Sequence, residues 1–258
     1  MLEFFRALIA KAPPPRVVDL TAHNGPAYVI GDIHGRLDLL KGLEQKIIAD
    51  AKTQTQDSLI ICIGDMIDRG PDSYGVLAHV MAPPPAGIRR ICLMGNHEAM
   101  MLDFLAHPRR ARAWLDFGGQ ETLASYGALA SEVRRAMRKP RQMGVLLDRI
   151  IPDSHKQFLS ALPHMIVLKD FMLAHAGGNP VRPLARQTVQ DILWGVEGFA
   201  KTPPVFDKTI VHGHFAQDHA TQAHGKVAVD TGAYASGMLT AAKLGPEKPI
   251  KFITFMNP

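Results

Sequence analysis

Cysteine is almost missing. The 258 residues contain two, Cys62 and Cys92, each inside a short apolar run. Two thiols in predicted buried strands exclude a disulfide-stapled scaffold and fit a reducing compartment. No apolar run is long enough to span a bilayer. The opening MLEFFRALIAKAPPPR has an acidic residue at position 3, no basic start and no small-residue cleavage pattern. It reads as an amphipathic helix stopped by Pro13-Pro14-Pro15 rather than as a signal peptide. A cytoplasmic protein with no membrane partner is the expectation. Aromatic residues are few, at 7%, and do not alternate with basic ones in the way that stacks bases. Nucleic acid is therefore not an expected partner, in spite of a pI near 9.3. With 47% apolar and 21% charged residues, the composition is that of a folded globular chain rather than a disordered one.

What the chain does have is one pattern used three times. Tyr28-Val29-Ile30-Gly31 runs into Asp32-Ile33-His34-Gly35. The run from Leu59 to Ile63 passes through Gly64 into Asp65-Met66-Ile67-Asp68-Arg69-Gly70. Ile91-Cys92-Leu93-Met94-Gly95 runs into Asn96-His97-Glu98. In each, a buried strand is predicted to end in glycine and then a metal-capable side chain. Helical spacing over 37–50 and a short helix over 73–81 separate the strands. Such βαβ units carry their functional loops at the carboxyl ends of parallel strands. From Glu98 to about Leu162 the pattern is helical but punctuated by Pro108, Gly118-Gly119, Gly127, Pro140 and Pro152. Strand character returns at 164–168 and 171–174, and again at 209–211, after a helix near 184–194. The tail at 226–229, 234–243 and 250–255 reads as antiparallel strands with turns at Thr231-Gly232 and Gly245-Pro246. The expected fold is α/β (α+β): a two-sheet core flanked by helices. It forms a single domain over 1–258, with a helical cap inserted at 101–162.

Charge is concentrated. Residues 107–149 hold nine Lys/Arg against four acids, which accounts for the whole net charge of +5. That cap face is biased towards anionic ligands, although charge runs are most often solvated helix surface.

Asp32, His34, Asp65, Asn96, His175 and His214 all lie just past a predicted strand. Two carboxylates, an amide oxygen and three imidazoles form a mixed oxygen and nitrogen set. It suits Mn, Fe or Zn better than Mg or Ca, which favour all-oxygen shells. These loops carry no thiolate, which argues against a structural zinc cluster. Six ligands exceed one four-coordinate site and suit two metals roughly 3.5–4 Å apart that share a carboxylate.

Together, Gly31-Asp32-Ile33-His34-Gly35, Gly64-Asp65-Met66-Ile67-Asp68-Arg69-Gly70, Gly95-Asn96-His97-Glu98, His175-Ala176-Gly177 and Gly213-His214 resemble, in order, the five motifs of calcineurin-like metallophosphoesterases. They match the phosphoprotein-phosphatase branch, which includes bacterial symmetrical diadenosine tetraphosphatases. Trp114-Leu115-Asp116-Phe117-Gly118-Gly119 and Thr122-Leu123-Ala124-Ser125-Tyr126-Gly127 look like bacterial members of it. The resemblance implies a helix-flanked β-sandwich and two divalent transition metals, with manganese the first choice and iron or zinc as alternatives. Asp32, His34 and Asp65 would hold one metal; Asp65, Asn96, His175 and His214 would hold the other. A metal-bridging hydroxide would attack phosphorus directly. His97 would protonate the leaving oxygen, Asp68 would orient His97, and Arg69 would clamp phosphate oxygens. The implied substrate is a phosphorylated one, either a phosphoprotein-like phosphomonoester or a dinucleoside polyphosphate.

One departure stands out. Many relatives have an arginine shortly after a Leu-Trp pair, but here the segment reads Leu193-Trp194-Gly195-Val196-Glu197. Arg36, Arg182, Arg186 or a cap arginine could substitute for that clamp. The missing arginine also keeps open a non-catalytic metal- or phosphate-binding module, against which the His97–Asp68 pair speaks. Smaller readings complete the set. Glu98 is read as a carboxylate favouring helix-start amides. Asp230-Thr231-Gly232 is read as turn chemistry, with Tyr234 within reach of the cleft. His212 is expected to point away from the site.

Overall fold

Strands that are apolar at every position must be covered on both faces. The computed structural model, which describes residues 13–245 and 249–257, covers them between layers. β2 (Ala27–Ile30), β3 (Ser58–Cys62) and β4 (Ile88–Cys92) are parallel and are joined by helices α1 (Leu37–Ala51) and α2 (Ser73–Met81). β10 (Met238–Leu244) and β11 (Lys251–Met256) extend this sheet antiparallel, in the order β11-β10-β2-β3-β4. A second sheet holds β1 (Val17–Asp19), β5 (Met165–Val167), β6 (Phe171–Ala174), β7 (Thr209–His212), β8 (Thr221–Ala223) and β9 (Lys226–Ala228), in the order β1-β5-β6-β7-β9-β8. Side-chain alternation divides each strand between two cores. Val29, Leu59 and Ile61 meet Ile166, Leu173, Val211 and Val227 inside the sandwich. Tyr28, Ile30, Ile60 and Cys62 face the other way, against Leu40, Leu43 and Ile47 of α1. Each such fully buried aliphatic side chain contributes about 1.5–3 kcal/mol. The fold is thus the expected two-sheet sandwich flanked by helices, and both cysteines are free and buried.

Between β4 and β5 the chain is helical. It forms α3 (Asn96–Ala106), a 3-10 turn (Arg112–Phe117), α4 (Gly119–Ser125), α5 (Ala130–Met137), α6 (Pro140–Ile150) and α7 (Asp153–Ala161). α8 (Val189–Trp194) and α9 (Ala233–Ser236) follow later. Among the described residues no helix is long and apolar enough to cross a membrane. The expected N-terminal helix falls largely outside the described residues, and so does Pro246 of the expected last turn.

Several expectations need correction. Tyr234 lies in α9, not in a strand, because β10 starts only at Met238, after Gly237 turns with φ +68°. The tail is not one antiparallel set. β9 pairs parallel with β7 in the second sheet, whereas β10 and β11 pair in the first. β1 and β8 were not expected. β8 is exposed and polar, so it lacks an apolar signal, and it exists as one arm of a hairpin with β9. His224 and Gly225, at φ +51° and +71°, form the two-residue turn, whose twist suits paired strands.

The candidate ligands lie past the carboxyl ends of β2, β3, β4, β6 and β7, and their loops are lashed together. Ile33 N and His34 N both donate to Asp65 O, at 3.0 and 2.9 Å, and Gly35 N donates to Met66 O at 2.9 Å. Glu98, fully buried in the first turn of α3, does more than cap its own helix. Its carboxylate accepts from Gly95 N (2.9 Å), Asp65 N (2.9 Å), Met66 N (2.8 Å) and Ile67 N (3.3 Å). An orphaned buried amide costs about 1–3 kcal/mol. Glu98→Ala should therefore lower the unfolding free energy by about 3 kcal/mol or more in a urea titration; a loss below about 1 kcal/mol would contradict this role of the carboxylate.

Candidate metal centre

Five candidate site residues sit in left-handed backbone that non-glycine residues rarely adopt: His34 (φ +45°), Asp65 (+48°), Asp68 (+73°), Arg69 (+67°) and His214 (+61°). Such conformations persist only where the surroundings over-determine them: the loop ties described above hold His34 and Asp65, Ser73 and Thr122 hold Asp68 N, Gly118 O holds Arg69 N, and Asp32 holds His214 N. They aim side chains from both sheets into one cleft. Asn96 Oδ1 lies 2.8 Å from His175 Nε2 and 3.0 Å from His214 Nδ1, and the two ring nitrogens are 3.2 Å apart. Asp65 Oδ2 is 3.4 Å from His175 Nε2, 3.6 Å from His34 Nε2 and 3.8 Å from His97 Nε2. Two compact groups result: His34, Asp65 and His97, and Asp65, His175 and His214, the atoms of each lying within 4.8 Å of one another. Asp65 belongs to both.

Hydrogen bonds fix two of the tautomers. A guanidinium can only donate, and Arg69 places Nη1 3.1 Å from His34 Nε2 and Nη2 3.0 Å from His97 Nε2. His34 Nε2, on a ring that burial keeps neutral, therefore presents a lone pair to the cleft, whereas His97 Nε2 accepts from Arg69 only while that ring is unprotonated. Their Nδ1–H groups donate backwards, from His34 to Ile67 O at 2.8 Å and from His97 to Asp68 Oδ2 at 2.7 Å. A histidine anchored through one nitrogen and open at the other is the usual metal-ligand arrangement.

The electrostatics agree. Burial pushes His34 and His214 down to about 3, so both are neutral and available to a cation. Burial alone would raise the Asp65 carboxyl, but His175, His97 and His34 hold it well below the carboxylate range. Asp32 is driven the other way, well above it, by burial, Asp230 and Asp65. Burial, with Asp65 nearby, lifts Glu98 to about 7. Burial opposes charge on His97, yet Asp65 and Asp68 raise it above its ordinary value. The converging acceptors and neutral imidazoles fit a divalent transition metal, since lone pairs from an amide oxygen, a carboxylate and rings point at common centres.

Each expected residue has a definite place. Asp32 is the least central. Its oxygens accept from His214 N at 3.1 and 3.2 Å, and in the compact group around His34 it is His97 that completes the set. Asp230 Oδ1 accepts from Gly232 N at 2.8 Å, as its turn role requires, while its charge also acts on Asp32. Tyr234 reaches the cleft, with its ring 5.4 Å from that of His34 and beneath the Arg69 guanidinium at 4.8 Å. His212 turns away into a separate cavity of about 620 Å³ shared with Phe199 and Phe215. Two candidate substitutes for the missing clamp are engaged elsewhere: Arg36 with Asp38 and Ala233 O, and Arg182 with Asp191. Sequence reasoning gave Trp114 and Thr122 no role, yet both bond the Asp68 carboxylate, at 2.7 and 2.6 Å. Their signal was present in the Trp-Leu-Asp-Phe-Gly-Gly stretch and the Thr that follows it.

Comparison with known proteins gives the same picture. The chain is 38% identical over 92 residues to serine/threonine-protein phosphatase 1 of Salmonella typhimurium, a match covering 36% of this chain and 38% of that protein. It is 26% identical over 245 residues to serine/threonine-protein phosphatase 2 of Escherichia coli, covering 90% of this chain and 99% of that one. The symmetrical bis(5'-nucleosyl)-tetraphosphatase of Serratia proteamaculans is 40% identical over 75 residues, 29% of this chain and 24% of its own length. Among solved structures, a candidate diadenosine tetraphosphatase superposes with a TM-score of 0.62 at 22% identity, covering 95% of this chain and all of that one, and so shares the fold. The calcineurin-like phosphoesterase model matches residues 25–240, nearly the whole span that builds both sheets and the cleft, and the chain therefore belongs to that family of metal-dependent phosphoester hydrolases.

Proposed function

We propose that the chain is a two-metal phosphomonoesterase of the Ser/Thr phosphoprotein-phosphatase kind. Asp32, His34 and Asp65 would hold one ion, and Asp65, Asn96, His175 and His214 the other. When bound, such a pair supplies Lewis-acid clamping of phosphate oxygens and activates water for in-line displacement. The chain's own residues do the rest. Arg69, held over Tyr234, offers two parallel N–H groups to phosphate oxygens that would replace its contacts with His34 and His97. His97 protonates the leaving oxygen from Nε2. Its Nδ1–H bond to Asp68 fixes which nitrogen faces the cleft, and the adjacent carboxylates favour its acid form.

The observation that carries this reading is the His97–Asp68 pair at 2.7 Å, with His97 Nε2 opening on the Asp65 cluster. A module that only bound metal or phosphate has no use for an oriented acid. Length of match favours the phosphoprotein-phosphatase reading, since relatives aligned over nearly their whole length are serine/threonine-protein phosphatases. The second reading, symmetrical hydrolysis of diadenosine tetraphosphate to two ADP, has support from a higher-identity match over a shorter stretch. The expected metal is manganese, from the mixed oxygen and nitrogen donors, with iron or zinc as alternatives.

Three experiments test these assignments. His97→Asn should retain both metals and lower kcat by about 10²–10⁴-fold, the range of a lost general acid; an unchanged rate or lost metal would sink the assignment. Asp65→Asn should reduce occupancy at both positions, and two ions per chain by elemental analysis would refute the bridging role. With Mn²⁺ present, phosphate release from a phosphoserine peptide without turnover of diadenosine tetraphosphate is the expected result. Formation of two ADP would favour the second reading.

A further inference from the structure

Asp68 is completely buried, and its carboxylate is gripped at both oxygens. Oδ2 accepts from His97 Nδ1–H and from the Trp114 indole N–H, each at 2.7 Å. Oδ1 accepts from the Thr122 hydroxyl at 2.6 Å. The backbone N–H of the same aspartate lies 3.0 Å from both Ser73 Oγ and Thr122 Oγ1, and those two hydroxyls are 2.9 Å apart. Trp114, Thr122 and Ser73 are all inaccessible to water. A carboxylate held only by the histidine could rotate about its terminal torsion, which is broad and soft. Donors on both oxygens remove that freedom.

The two outer donors come from the helical stretch between β4 and β5, and its glycines allow the approach. Gly118, at φ +110°, lies against Asp68 and Arg69 so closely that a Cβ there would meet Arg69 N at 2.5 Å. A Cβ on Gly119 would stand 2.5 Å from the Trp114 ring. The spacing Trp114-x3-Gly118-Gly119-x2-Thr122 is thus what brings an indole N–H and a hydroxyl to one buried carboxylate.

We propose that Trp114 and Thr122 are positioning residues for the hydrolysis: by locking the Asp68 carboxylate they hold the His97 ring aimed at the leaving oxygen. The helical stretch then acts inside the acid machinery. This rests on the reading of His97 as the acid. A misaligned acid slows reactions whose leaving group needs a proton and spares those whose leaving group does not.

The test compares phenyl phosphate, whose phenoxide is a basic leaving group, with 4-nitrophenyl phosphate, whose phenolate leaves readily. Trp114→Phe and Thr122→Val should each lower kcat on phenyl phosphate by roughly 10–100-fold, the usual effect of removing an outer-shell partner. The loss on 4-nitrophenyl phosphate should be much smaller, with bound metal and KM unchanged. Thr122→Ser, which keeps the hydroxyl, should restore the rate. Equal losses on both substrates, loss of metal, or no effect would overturn the proposal. His97→Asn on the same pair separates the two ideas. If it shows the leaving-group bias and the outer variants do not, positioning fails alone; if it shows none, the acid assignment has failed first.

Discussion

The structure around the cleft depends on one buried carboxylate that does no chemistry. Glu98 takes four backbone N–H groups, three from the loop after β3 and one from Gly95 at the start of α3. The three amides after β3 belong to a segment whose residues Asp65, Asp68 and Arg69 all have positive φ, so the segment cannot satisfy its own donors as a helix or strand would. One side chain supplies the acceptors that the backbone geometry forfeits. The strain of the loop and the burial of an anion are each unfavourable alone. Together they specify one conformation, because releasing either leaves the other unsatisfied.

From that anchor the rest follows outward. With the β3 loop fixed, its Asp65 carbonyl receives the amides of Ile33 and His34, which sets the loop after β2. Asn96 and His97 start α3, and His97 N donates to Asp65 Oδ1 at 3.0 Å. The second sheet joins through side chains: His175 and His214 reach Asn96, and His214 N reaches Asp32. The cleft is thus assembled across the sandwich, and a shift of either sheet would separate the donors.

Much of this was legible beforehand because the strands announce themselves. Apolar runs ending in Gly-Asp or Gly-Asn place Asp32, Asp65 and Asn96 at strand ends, and the parallel order puts those ends together. What was not legible shares one cause. β8 is exposed and polar, β1 is three residues long, and α9 is a single turn, so partners rather than periodicity decide them. The same holds for function. Glu98 reads locally as a helix-start carboxylate, and only the folded chain shows it serving a loop more than thirty residues earlier. Trp114 stands in the sequence only as part of a family-like stretch; in the fold it is core, and its indole N–H becomes informative only once Asp68 lies within its reach.

Charge balance gives a further reason to regard the cleft as built for cations. Asp32, Asp65, Asp68, Glu98 and Asp230 are all buried at or beside it. Against them stand the Arg69 guanidinium and the His97 ring, whose charged form Asp65 and Asp68 favour, while burial keeps His34 and His214 neutral. An uncompensated buried carboxylate favours its protonated form, and burial, with Asp230 and Asp65 nearby, pushes Asp32 in that direction. Two divalent cations would reverse it, bringing the cluster close to neutrality with every carboxylate ionised. The donor geometry at two overlapping groups and the excess of buried carboxylates over buried cations both favour a bound cation.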